Sequence, residues 1–191
     1  MGTVDSPIKL VATFVGYNGA GKTTLLYKIL DRPLPPNFVP KVLPWDEGPL
    51  YLTTRTEDGR EVHLHVRDTC VLDEYDRFRP LNFPQTDVFV ICFPNTLDLF
   101  WRDEIVRCGF QEVPVVLLKT KVDEVSSDNM EKQVCEEDVE LSKDKVGWLY
   151  SLEVSVQNEM LVKELVSKIV LAGLSHQKTK VERKKRRCVV L

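Results

Sequence analysis

The sequence predicts an α/β fold: an open, mostly parallel sheet of six strands, with one antiparallel edge strand and helices on both faces. Three observations lead there. Short apolar, β-branched runs alternate with helix-like segments, the pattern of a parallel sheet with crossover helices. One pair of strands is joined through Asp58-Gly59, a tight-turn pair that makes an antiparallel hairpin. A glycine-rich turn separates the first strand from the first helix. In such sheets ligands are expected beyond the carboxyl ends of the strands.

Each element follows from local chemistry. Ile8–Val15 (IKLVATFV) has the composition of a buried parallel strand. The segment TTLLYKIL reads as a helix, stopped by Asp31, Arg32 and Pro33. Residues 33–49 hold six prolines and predict irregular loop. Leu50–Thr56 and Glu61–Arg67 alternate apolar and polar residues, as a hairpin with one buried face should. Asp87–Phe93 (DVFVICF) and Val113–Lys119 (VPVVLLK) are two more buried strands, with a helix expected over 96–108 between them. The highly charged stretch 127–147 predicts a helix, Ser151–Val154 a short strand, and Asn158–Ala172 an amphipathic helix.

At 191 residues, with a hydrophobic fraction of 43%, the chain suits one compact domain plus a tail. No apolar run approaches the ~20 residues that span a bilayer, and no secretory signal opens the chain. Five scattered cysteines (Cys70, Cys92, Cys108, Cys135, Cys188) lack the spacing of a disulfide framework or a zinc site and point to a reducing compartment. The net charge of −3 conceals an asymmetry. From Lys178 to Arg187 seven basic residues face one acid, Glu182, so the tail carries +6 and the remainder −9. An acidic body with a basic end is no general nucleic-acid binder, whose charge would line the folded surface; it suits a domain on an electrostatic tether. His63 and His65 alternate on one strand without metal-site spacing and read as surface residues. Trp45 suits either an exposed partner contact or a residue packing the proline-rich loop down.

The strongest chemical signal is Gly16-Tyr-Asn-Gly-Ala-Gly-Lys-Thr23, a full GxxxxGK[ST] pattern between a buried strand and a helix, the context a phosphate-binding P-loop requires. Glycines let backbone N–H groups converge on phosphate oxygens, and the helix N-terminus adds a favourable dipole. Gly16, Asn18, Gly19, Ala20, Gly21, Lys22, Thr23 and Thr24 form the expected phosphate cradle, with Lys22 reaching the β- and γ-phosphates and Thr23 ligating Mg²⁺. Thr120-Lys-Val-Asp123 directly follows VPVVLLK, where guanine-specific proteins carry (N/T)KxD. A carboxylate at Asp123 accepts two hydrogen bonds from the guanine N1–H and 2-amino groups, which adenine cannot supply.

At this point the chain resembles the Rho family of small GTPases, in the Ras superfamily, and Rac-like members among them, as a divergent relative. The segment from Tyr75 to Phe93 looks like that family's second switch running into a strand; the P-loop, TKVD, LEVSV and a terminal CVVL extend the likeness over nearly the whole chain. The resemblance implies the Ras-like fold over residues 1–174, followed by a polybasic hypervariable tail over 175–191. It also implies binding of GTP or GDP with Mg²⁺. Lys121 then packs along the base, Ser155, Val156 and Gln157 reach the guanine oxygen through backbone N–H groups, and Asp68 is the carboxylate behind the Mg²⁺. Implied partners are effectors at the switch regions, exchange factors and a chaperone like the GDP-dissociation inhibitors.

The departures from the family cluster on hydrolysis and switching. Asn18 replaces a glycine and crowds the γ-phosphate and any incoming arginine finger. The family's DTAGQ is here Asp68-Thr69-Cys70-Val71-Leu72. Val71 stiffens a glycine hinge, and aliphatic Leu72 cannot orient the attacking water as glutamine does. Lys41 stands where a threonine ligates Mg²⁺, and lysine has only donors; it could instead carry positive charge to a phosphate oxygen. The other reading of Lys41 is a shifted alignment of the long proline-rich loop. The chain is also shorter than Rac-like members before Trp101 and after Asp123. Positioning and charge supply nearly all catalysis of phosphoryl transfer, and an arginine finger alone is worth about 10³–10⁵. No catalytic residue is therefore assigned, and slow or absent hydrolysis is expected.

Cys188-Val-Val-Leu191 fits C-a-a-X with a leucine end, which points to geranylgeranylation of Cys188. One lipid plus Arg183-Lys-Lys-Arg-Arg187 is the two-signal recipe for anchoring at the cytoplasmic face of an anionic membrane, at about 1 kcal/mol per basic residue. Nuclear import is the other reading of the basic run, and Gly2 formally matches a myristoylation pattern. Three functions follow: a largely GTP-bound signalling protein acting on actin, cell shape or membrane traffic; a conventional cycling GTPase; or a nucleotide-free scaffold. The intact Lys22, Thr23 and Asp123 weigh against the last.

Overall fold

The computed structural model describes residues 6–37, 42–44, 50–69, 81–94, 97, 99–123, 143 and 147–189, with the side chains of 184 and 186–189 outside that set. Lys41, Trp45, Cys70, Val71, Leu72, Gly2, the side chain of Cys188 and nearly all of the expected helix 127–147 lie outside the described residues.

Among the described residues, six strands and three helices follow one another. They are β1 (Ile8–Val15), α1 (Lys22–Ile29), β2 (Tyr51–Arg55), β3 (Glu61–Asp68), β4 (Val88–Phe93), α2 (Phe100–Arg107), β5 (Val115–Thr120), β6 (Trp148–Val154) and α3 (Glu159–Val189). The sheet order is β2-β3-β1-β4-β5-β6. Among the described strands the β2–β3 pair alone is antiparallel, Tyr51 lying opposite His65; the other four pairings are parallel. The expected class is therefore found, hairpin edge included.

Two apolar layers cover the sheet. On one face, Leu25, Leu26 and Ile29 of α1 and Leu165 and Ile169 of α3 pack on Leu10, Ala12 and Phe14 of β1 and on Leu64 of β3. On the other, Trp101 and Ile105 of α2 pack on Phe89 and Ile91 of β4 and on Val115 and Leu117 of β5. Strand β4 is buried along its whole length, which is why its sequence runs apolar without alternation. Burial of each large side chain here contributes about 1.5–3 kcal/mol.

Two boundaries differ from expectation. Helix α2 starts at Phe100, later than 96. Helix α3 runs on past Ala172 to Val189. Apolar periodicity stops marking it after Leu174, but Lys, Arg, Glu and Gln are good helix formers and need no buried face. Contacts with the body hold this extension: the Gln177 side-chain amide donates to the Lys9 carbonyl at 2.8 Å, and Arg183 pairs with Glu112 at 2.6 Å. The histidines are less exposed than expected. Tyr51 stacks on His63 at 4.8 Å and lies 5.0 Å from His65, and Glu61 is within 3.1 Å of His63. Among the described residues no cluster of three or more His, Cys, Asp or Glu is assembled to hold a metal.

Candidate nucleotide site

Parallel register brings four strand ends to one edge of the sheet. Phe14 lies beside Asp68, and Thr120 beside Val154, so the loops after β1, β3, β5 and β6 emerge together. These are the loops that carry the residues singled out in the sequence.

The loop from Gly16 to Gly21 turns β1 into α1. Gly16 has φ of +147°, and a Cβ there would run into the carbonyl oxygen of Cys92 on β4, so only glycine fits. Gly21 caps α1 in the left-handed region at φ of 77°. The first turn of α1 contains no acidic residue of its own, so its positive dipole end is available to an anion. Tyr17, Asn18 and Gly19 are exposed at the loop's tip, while Ala20 is buried. The Lys22 ammonium, although the residue is only 5% exposed, is held inside the loop. It donates to the carbonyls of Gly16 at 2.7 Å and Tyr17 at 2.9 Å. A desolvated cation bracketed by a cradle of backbone groups is suited to polyphosphate.

Thr23 and Asp68 form the second part. The Thr23 hydroxyl donates to Asp68 Oδ2 at 2.6 Å, and the Leu43 N–H donates to the same oxygen at 3.0 Å. Asp68 Oδ1 is buried with no hydrogen-bond partner. Burial pushes the Asp68 carboxyl above the usual range, against the lowering effects of the Thr23 bond and the Lys22 charge. A buried carboxylate with an unsatisfied oxygen, joined to a hydroxyl at a helix start, is a hard oxygen donor set that fits Mg²⁺. Thr69 fixes this turn by donating its hydroxyl to the Phe14 carbonyl at 2.8 Å. Thr24 is half-buried on the first turn of α1.

The third part gathers the residues of the TKVD motif and of the loop after β6. Thr120 is buried and donates its hydroxyl to the Ala20 carbonyl at 2.9 Å, tying the end of β5 to the phosphate loop. Lys121 lies alongside Gly21, within 3.8 Å of where a Cβ there would sit, and takes a left-handed backbone at φ of 60°. Asp123 is exposed, and Gln157 Nε2 donates to it at 3.3 Å. Ser155 is buried and accepts from the Gln157 N–H at 3.2 Å, with Val156 half-buried between them. The structure thus brings both loops to one side of the phosphate cradle.

Two contributors were not singled out in the sequence. Leu43 enters through its backbone N–H, which leaves no sequence signal. Tyr17 occupies a motif position open to any residue, and its ring stacks against α2. Cys92 behind Gly16 is fully buried, which pushes its thiol up to about 12 and leaves it inert at neutral pH.

Comparison with known proteins agrees with this geometry. A model of the Ras family matches residues 9–174. The chain is 31% identical over 199 residues to the GTP-binding protein rho1 of Schizosaccharomyces pombe, covering 93% of this chain and 95% of that one. It is 36% identical over 116 residues to the human Rho-related GTP-binding protein RhoD, covering 57% of this chain and 52% of that protein.

Proposed function

The chain belongs to the Ras family and is a Rho-type GTP-binding protein, and from that premise we propose that it is a membrane-anchored signalling protein that holds GTP with Mg²⁺ and hydrolyses it very slowly. One observation carries the binding half: the start of α1 brings together Lys22, buried and bonded to the Gly16 carbonyl, and Thr23, bonded to the Asp68 carboxylate whose other oxygen is buried without a partner. When bound, Mg²⁺ supplies charge neutralisation across the phosphate oxygens. The chain's own residues do the rest. Backbone N–H groups of the loop and Lys22 bind the phosphates, Thr23 and Asp68 orient the ion, and Asp123 selects guanine by accepting from its N1–H and 2-amino groups.

Slow hydrolysis rests on Leu72 and Asn18. A leucine in place of the water-orienting glutamine supplies no hydrogen bond to a nucleophile, and Asn18 places a side chain at the exposed loop tip where an arginine finger would enter. Effectors would then meet a largely GTP-loaded protein. Anchoring rests on CVVL and the basic run, and α3 supports it. Gln177 touches Lys9 at the start of β1, whereas the phosphate loop follows its end, so the helix carries the basic residues toward the opposite pole. No helix among the described residues is long and apolar enough to cross a membrane.

The test is to extract bound nucleotide with acid from the purified protein and identify it. GTP is expected; mostly GDP would favour a conventional cycling GTPase, and no nucleotide a scaffold. Single-turnover hydrolysis at a rate ordinary for the family would end the slow-hydrolysis reading.

A further inference from the structure

Tyr17 is the one aromatic residue of the phosphate loop. Its ring lies 6.2 Å from Phe100 in a stacked arrangement (28° between planes) and 5.9 Å from Trp101 edge-on (70°), and those two rings meet each other at 5.3 Å and 85°. Trp101 is 1% exposed and belongs to the core beneath α2, so it offers a fixed wall. Tyr17 and Phe100 are 46% and 40% exposed and close the cluster from outside. The backbone carbonyl of the same Tyr17 accepts two bonds, from the Ala20 N–H at 3.1 Å and from Lys22 Nζ at 2.9 Å.

From these two facts we infer that Tyr17 is a positioning residue for nucleotide retention: its ring, clasped by Phe100 and Trp101 of α2, fixes the carbonyl that aims Lys22 at the phosphates. A loop of glycines and short residues loses much conformational entropy when it is ordered around a ligand. Anchoring one of its residues to a core-packed helix removes part of that cost before the nucleotide arrives, which is preorganisation. Stacked and edge-on aromatic pairs contribute beyond simple burial, enough for a severalfold effect on release. The clasp also joins the phosphate site to the first turn of α2, an element with no residue in the motifs. The inference rests on the nucleotide-binding reading above.

The experiment measures release of GTP, GDP and GMP from the full chain, from Tyr17→Ala, Phe100→Ala and Tyr17→Phe, and from the Tyr17→Ala/Phe100→Ala double variant. Each alanine variant should release GTP and GDP about three- to tenfold faster. Tyr17→Phe, which keeps the ring, should behave as the unsubstituted protein. GMP, which has no β-phosphate for Lys22 to reach, should dissociate from all variants at the same rate, and the double variant should add little to either single one. General loosening of the domain would speed GMP release equally and would overturn the inference. Unchanged GTP and GDP release from both alanine variants would overturn it too, leaving the functional reading intact. Failure of the unsubstituted protein to bind any guanine nucleotide would overturn both.

Discussion

The phosphate end and the base end of the site are built differently. At the phosphate end Lys22, Thr23 and Asp68 are largely buried and bonded to other groups of the protein, Asp68 Oδ1 excepted. Lys22 is 5% exposed and held by two carbonyls, and Asp68 gathers a hydroxyl and a backbone N–H. At the base end Asp123 is exposed, and the contact described for its carboxylate is a long one from the equally exposed Gln157. A hydrogen bond in a desolvated, preorganised setting is worth more than one competing with water. On the proposed reading, affinity would reside in the phosphate cradle, whereas the base loop would chiefly discriminate.

Four experiments can break or sharpen that contrast. The largest effect is expected from Lys22→Ala, which strips two phosphates of a buried cation: calorimetry should show GTP affinity reduced about 100- to 1,000-fold. Removing Mg²⁺ with a chelator should accelerate GDP release by about 100-fold, and Asp68→Ala should abolish most of that response, because the ion loses the carboxylate behind it. If the chelator acts equally on Asp68→Ala, the oxygen set has been assigned to the wrong ligand. Asp123→Ala should weaken GTP about 10- to 100-fold while leaving ATP unaffected, so that the preference between the two nucleotides collapses. A drop in ATP binding of the same size would mean that Asp123 supports the loop and does not read the base. The smallest effect belongs to the tie between the two ends. Thr120→Val keeps the shape of β5 but leaves the Ala20 carbonyl without its donor, and should cost about 1 kcal/mol, read as a melting temperature lower by about 2–4 °C.

Much of this site was legible before folding. The P-loop stood out because its chemistry is local: glycines where the chain turns tightly, then lysine and threonine at a helix start. Asp123 was legible for a similar reason, since TKVD follows directly on a buried strand. Asp68 was assigned by resemblance alone, and its special condition, a buried oxygen without a partner, has no sequence signature. Thr120, expected among the nucleotide-binding residues, also braces the cradle through the bond from its hydroxyl to the Ala20 carbonyl, a contact that no local pattern signals. The length of α3 escaped because periodicity detects only helices with a buried face. Leu72, on which slow hydrolysis rests together with Asn18, and Val71 and Lys41, which bear on switching, lie outside the described residues and rest on the sequence.

The sequence by itself determined the alternation of strands and helices, the hairpin edge, the phosphate loop and the guanine motif. All are written in stretches of a few residues, through steric freedom, apolar period and turn chemistry. Only the tertiary structure decided what those stretches do to one another: that Leu43 and Thr23 share the Asp68 carboxylate, that Thr120 supports Ala20, and that Tyr17 is clasped by α2. These contacts join residues distant along the chain, and no local preference encodes them. They exist because parallel pairing brings the ends of these strands to one edge of the sheet and buries Thr23, Thr120 and an oxygen of Asp68 there, where buried polar groups are driven to find partners.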